Sequence, residues 1–236
     1  VAPIVEFFYR KYFRVITEGM EGLPEGRVLF IANNSGQIPI DAMMIGTSLL
    51  LEGDPPRAAR SMIERWVPEI PFVNVLFSRL GQIVGTPENC RALLRDEHAV
   101  LVFPEGVRGI NKTWDKRYQL QHFGHGFMRL ALETNTPIVP VGVVGAEEQY
   151  PTLWNLEKVG KLVGMPAMPI APQMLLPGIG LMPLPTRYQI YFGKPLHFEG
   201  DPDDDDTEIG RKVGVVKDAI SSLLDRGRAD RGSLFF

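Results

Sequence analysis

The chain of 236 residues has one cysteine, Cys90. A single thiol excludes an intrachain disulfide framework and any multi-cysteine metal site. Positive charge is not in excess either. The 25 lysines and arginines face 28 acids, for a net charge of -3. Phosphate backbones need a cationic face, so nucleic acid is a poor partner. The four histidines, His98, His122, His125 and His197, form no HExxH pair, which argues against a zinc hydrolase. The GxSxG elbow of serine α/β-hydrolases is missing. So is the phosphate-binding GxxxxGK[ST]; Gly106–Lys112 comes near, but Asn111 stands where its second glycine belongs. No GxGxxG follows a strand and opens a helix, so dinucleotide redox chemistry has little support.

Continuous apolar helices are lacking as well. The longest uncharged stretch runs from Leu162 to Thr186. It is long enough to span a bilayer. Pro166, Pro169, Pro172, Pro177, Pro183 and Pro185 forbid a continuous helix there, and broken backbone does not face lipid. Two readings stand: a buried crossing over the core, or an apolar lid that dips into a membrane. No basic segment followed by an apolar run opens the chain, so no signal peptide is expected. The start at Val1 suggests a trimmed or processed chain.

The chain does have enough apolar material for a core. Hydrophobic residues are 44% and charged residues 22% of the total, close to globular averages. Five short apolar runs read as strands: Val28–Ala32, Gln82–Val84, Ala99–Phe103, Pro137–Val144 and Tyr188–Phe192. Helical patterns alternate with them. Thr86-Pro87-Glu88 opens one, with Cys90, Leu93 and Leu94 inward. Phe123, Phe127, Leu130 and Ala131 share one helical face, as do Val213, Val216, Ile220, Leu223 and Leu224. This alternation predicts an α/β fold with a mostly parallel central sheet flanked by helices. The acidic run Gly200–Glu208 reads as a solvated loop before the last helix. Residues 1–24 form an expected N-terminal amphipathic segment, with Phe7, Phe8, Tyr12 and Phe13 beside Arg10, Lys11 and Arg14. Such a mix suits a membrane-interfacial helix or a first helix packed on the domain. Residues 25–236 then make up the main domain.

Two strand ends carry candidate chemistry. Asn33-Asn34-Ser35-Gly36-Gln37-Ile38-Pro39-Ile40-Asp41 follows the first strand and leads into an apolar helix. The carboxyl ends of strands are where α/β sheets place ligands, although a plain capped turn has the same composition. Phe103-Pro104-Glu105-Gly106-Val107-Arg108 follows the Ala99 strand. A carboxylate and a guanidinium beside free N–H groups suit an anionic or polyhydroxyl ligand, or they form a surface ion pair.

Taken together, the loops resemble the glycerolipid acyltransferases, the 1-acylglycerol-3-phosphate acyltransferases and their relatives. In that family one strand leads into Asn-His-x-x-x-x-Asp and another into Phe-Pro-Glu-Gly-Thr-Arg. Here Phe103–Arg108 matches the second motif except at Val107. Thr136-Pro137-Ile138-Val139-Pro140-Val141 is similar to the family's fourth block, and Leu80-Gly81-Gln82-Ile83-Val84 sits where its second belongs. The resemblance covers roughly residues 25–200. Three departures stand out. Asn34 replaces the motif histidine. Six residues, rather than four, separate it from Asp41. Thr86 occupies the place of an arginine that helps hold phosphate.

The resemblance implies a single-domain glycerol-3-phosphate acyltransferase-like fold and direct acyl transfer. A lysophospholipid or related glycerolipid hydroxyl attacks the thioester of acyl-CoA or acyl carrier protein. No further cofactor and no metal is implied. Position 34 is the place of the general base and Asp41 orients it. Ser35, Gly36, Glu105, Gly106, Val107 and Arg108 are the expected substrate-binding residues. The implied location is the cytoplasmic face of a membrane, peripheral or monotopic. An amide is no base near neutral pH, so the chain as written is expected to be nearly inactive. Losing a general base costs on the order of 10²–10⁴ in rate. Either a catalytic histidine was replaced in an otherwise intact site, to which Asp41, Glu105 and Arg108 point, or the chain is a non-catalytic lipid-binding pseudoenzyme. His125, between Gly124 and Gly126, is a candidate substitute base or a packing residue. Lys112, Lys116 and Arg117 form either a basic loop for phosphates of CoA or lipid, or a solvated surface.

Overall fold

Strand β2 (Val28–Ala32) is buried at every position. Its side chains alternate between two cores, as the pleat dictates. Val28, Phe30 and Ala32 point into one apolar cluster, and Leu29 and Ile31 into the other. A strand buried on both faces belongs at the centre of a layered α/β fold. The computed structural model places it there, and describes residues 2–34, 39–63, 83–110, 112–156, 169–176, 180 and 182–233.

The other main elements, in chain order, are α1 (Ala2–Phe7), β1 (Ile16–Glu18), α2 (Ile40–Leu51), β3 (Ala59–Ile63), β4 (Ile83–Val84), α3 (Pro87–Arg95), β5 (Ala99–Val102), α4 (Val107–Ile110), α5 (Gly126–Thr134), β6 (Ile138–Val144), β7 (Trp154–Asn155), β8 (Pro169–Ile170), β9 (Gln189–Phe192) and α6 (Asp206–Asp230). Seven strands form one sheet in the order β1-β9-β6-β2-β5-β3-β4. Its neighbours pair in parallel, except β6 with β9. The expected mostly parallel sheet flanked by helices is therefore the observed one. β7 and β8 pair separately.

Residues of α2 and of the N-terminal segment, such as Tyr9 and Phe13, cover one face of the sheet. Residues of α3, α5 and α6 cover the other. The helix starts follow local chemistry. Thr86 caps α3, its hydroxyl accepting from the Asn89 N–H at 3.2 Å, with Pro87 next. Asp205 caps α6 by accepting from Thr207 and Glu208, so the acidic run ends as a helix cap.

The differences from the expected elements are local. Phe123 is buried but precedes α5, because the Gly124 N–H bonds the Pro104 carbonyl and ties this stretch to the Pro-Glu-Gly turn. The segment 1–24 carries a helix, a π-turn over Phe8–Tyr12 and then β1, which joins the main sheet beside β9. Much of Leu162–Thr186, and Leu80–Gln82 of the second block, lie outside the described residues.

Candidate active site

β2 and β5 are parallel neighbours, so the loops that follow them emerge at one edge of the sheet. Asn33 locks the first loop. Its side-chain amide donates to the Val143 carbonyl at 3.1 Å and accepts from the Val143 N–H at 2.7 Å. It thereby continues the β2–β6 pairing past the end of the strand. Asn34 then turns toward the second loop. Its backbone N–H donates to Glu105 Oε1 at 3.0 Å, and its Nδ2 donates to the Gly106 carbonyl at 3.0 Å.

Two glycines allow this contact. Gly106 has φ +53°, in the left-handed region that glycine adopts without penalty. Gly109 packs directly on Asn34; a Cβ there would lie 2.6 Å from the Asn34 Cβ and 3.0 Å from that of Glu105. The two motifs thus meet at position 34.

Glu105 is buried, and its second oxygen accepts from the Gln121 N–H at 2.7 Å. A carboxylate bonded to two backbone N–H groups on separate loops holds them in register. The surface-pair alternative for Glu105 and Arg108 is overturned by that burial. Arg108 itself is exposed on α4. Asp41 is buried in the first turn of α2, where a helix N-terminus favours a negative charge, and it accepts from the Ala42 N–H at 2.8 Å. Burial pushes the Tyr188 hydroxyl well up, and the charge of Asp41 adds to the effect. Ser35, Gly36 and the side chain of Val107 lie outside the described residues.

Lys112 is not solvated. It is buried, 2.8 Å from Glu147 Oε1 and 3.5 Å from Glu105 Oε2. That removes it from any outward basic loop, since an enclosed ammonium spends its charge on its neighbours. Lys116 and Arg117 are exposed. His125 belongs to the start of α5, with Nδ1 3.3 Å from Asp206 on α6, where it joins two helices. Cys90 packs in the core, and burial pushes its thiol up to about 11, which leaves it inert as a nucleophile.

Beside the Pro-Glu-Gly turn lies a cavity of about 240 Å³, lined by Met62, Val102, Phe103, Phe127 and Leu130, with Thr86 and Cys90. It opens beneath the strand ends on the α3/α5 face. An apolar slot next to polar loops suits an amphiphile, with the tail below and the reacting group at the rim. Among the described residues no cluster of potential metal ligands occurs. Sequence reasoning missed Glu147. Its signal was position: it follows β6, which runs parallel to β2, so it reaches the same edge.

The acyltransferase family model matches residues 14–144, more than half of the chain. An uncharacterized protein of Mycobacterium tuberculosis (strain ATCC 25618 / H37Rv) is 34% identical over all of this chain and 68% of its own length. A human protein described as a DGAT1/2-independent enzyme synthesizing storage lipids is 26% identical, over 92% of this chain and 62% of that protein. In structure the chain is similar to the crystal structure of the 1-acyl-sn-glycerophosphate acyltransferase PlsC from Thermotoga maritima. The TM-score is 0.59 at 18% identity, covering 98% of this chain and 80% of that one. With both strand-end loops joined at position 34 and the family model spanning them, the chain belongs to the acyltransferase family.

Proposed function

We propose that the site is built for O-acyl transfer from an acyl thioester, acyl-CoA or acyl carrier protein, to a hydroxyl of a lysophospholipid or related glycerolipid. The observation that carries this reading is the meeting of Asn34 with Glu105 and Gly106 at the strand ends; an apolar cavity reaches Phe103, the residue before the turn. A proton acceptor at position 34 would face a hydroxyl held by the Pro-Glu-Gly turn, with Asp41 orienting it. Arg108, exposed next to the turn, is suited to a phosphate. Thr86, spent on capping α3, leaves the acceptor less anionic than lysophosphatidic acid. In this reading the acyl tail lies in the cavity and no covalent acyl-enzyme forms.

The test is Asn34→His. Acyl transfer to a panel of lysophospholipids and glycerides should rise by about 10²–10⁴ over the parent chain. No gain with any acceptor would sink the enzymatic reading. One observation favours the alternative, a lipid-binding pseudoenzyme. The amide of Asn34 takes part in the loop, donating to the Gly106 carbonyl at 3.0 Å, so asparagine fits here in its own right.

The same reading places the protein peripherally on the cytoplasmic face of a membrane. No helix among the described residues is long and apolar enough to cross one. Ile4 and Phe7 on α1 are exposed, with Arg10 and Lys11 one turn on. The Tyr12 hydroxyl donates to the Pro183 carbonyl at 2.6 Å, which brings exposed Met182 to this side. Apolar groups beside exposed Lys11, with Arg10 paired to Glu6 at 2.8 Å, suit an anionic interface. Flotation with vesicles containing phosphatidylglycerol should recover the protein, and Ile4→Ser with Phe7→Ser should weaken recovery. Unchanged recovery would remove α1 from this role.

A further inference from the structure

A chain of buried polar groups runs from the Pro-Glu-Gly turn to the end of α6. Lys112 Nζ sits between Glu105 Oε2 and Glu147 Oε1. Glu147 Oε2 accepts from the Tyr118 N–H at 2.7 Å. The Tyr118 hydroxyl donates to Glu148 Oε1 at 3.0 Å and accepts from the Gly145 N–H at 2.9 Å. Arg231 pairs with Glu148. Three buried carboxylates therefore share two cations, and Lys112 is the cation that both Glu105 and Glu147 face. Burying charge at this density is costly unless each group is held by partners. Such a network persists only with all its members in place.

We propose that Lys112 is a positioning residue: its ammonium fixes the Glu105 carboxylate, and Glu105 in turn fixes the backbone of position 34. The bond runs to the backbone N–H of residue 34, so it holds that position whichever side chain stands there. The same carboxylate holds Gln121. With the ammonium gone, Glu105 and Glu147 face each other across a buried site with no cation between them. Glu105 then loosens its hold on both of its N–H donors. The catalytic meaning of this rests on the acyl-transfer reading; the geometric claim does not.

The test is hydrogen exchange at the amides of Asn34 and Gln121. In Lys112→Met both should exchange at least about tenfold faster, the loss expected for a charge-assisted bond, while β6 amides keep their protection. Lys112→Arg, which restores a cation, should restore most of it. Unchanged protection at Asn34 in folded Lys112→Met overturns the proposal. If that variant does not fold, Lys112→Met with Glu147→Gln removes the opposed charges together. Its Asn34 amide should still exchange about tenfold faster; protection at the parent level there would show that Lys112 only neutralises Glu147, and overturns the proposal. In an active Asn34→His background, Lys112→Met should lower kcat and leave KM for the acyl donor in place. Exchange is read without activity, so failure of acyl transfer and failure of this inference are separate results.

Discussion

Lys112 approaches Glu147 to 2.8 Å, and Lys212 approaches Glu208 to 2.9 Å. The two pairs share chemistry, length and a buried lysine, but not the surroundings of the glutamate. The Glu147 side chain is 6% exposed and that of Glu208 is 40%. Burial pushes the carboxyl of Glu147 up despite its lysine, with the charge of Glu105 adding to the shift. Glu208 is held down to about 2, first by its hydrogen bond to Arg211 and then by Lys212. Desolvation therefore outweighs the lysine's attraction at the first pair and not at the second. A lysine next to a glutamate does not by itself mean stability. At Glu147 the ammonium offsets a cost that burial created. At Glu208 it adds to charges that water already supports.

The comparison breaks most directly by removing each lysine. Lys112→Met leaves buried carboxylates without their shared cation, a loss of roughly 3–5 kcal/mol. Lys212→Met leaves Glu208 with Arg211 at 2.8 Å and with water, so its midpoint of urea unfolding should move far less. Equal shifts in the two variants would mean that burial is not what separates the pairs. Replacing the buried pair by Lys112→Met with Glu147→Leu should recover part of the loss, because no charge of that pair is then left stranded.

The same distinction governs what the sequence could tell. β2, β6 and β9 are buried at every position, and β5 at all but its last, and their apolar runs announced them. β3 reads Ala-Arg-Ser-Met-Ile with a single buried position, and β1 is three residues at the sheet edge. Neither has an apolar run or an alternation to read; their pairing comes from neighbours distant in sequence. Within the site, position 34 and the Pro-Glu-Gly turn were legible because each follows directly on an apolar strand, and Phe103–Arg108 keeps its motif except at Val107. The fate of Lys112 was not. A lysine in a polar stretch, Asn111-Lys112-Thr113, looks solvated. It becomes buried because Glu147, 35 residues later, follows a parallel strand to the same edge of the sheet. Charge pairing across the sheet depends on topology, which residue type alone does not encode.

The pH dependence of stability sharpens the comparison, because the two glutamates contribute with opposite sign. Both start from an ordinary value of 4.5. For Glu147 the folded value lies above the unfolded one. Folding then favours the protonated form, and its contribution is full below pH 4.5 and is lost as pH rises through the folded value. For Glu208 the folded value lies below. The unfolded chain binds more protons between about pH 2 and 4.5, so the contribution is present above 4.5 and is lost as pH falls toward 2. Urea midpoints measured from pH 3 upward should therefore differ from the parent in opposite ways. Glu147→Gln should flatten a decline that begins above pH 4.5, and Glu208→Gln should flatten a rise that ends there. Other acids titrate in this range, so the difference between variant and parent is the quantity to compare. The second change is the smaller, because Glu208 is partly in water and salt screens it. Two differences of the same sign would show that the ammonium governs Glu147 as it does Glu208, and that the burial of the first pair does not set its chemistry.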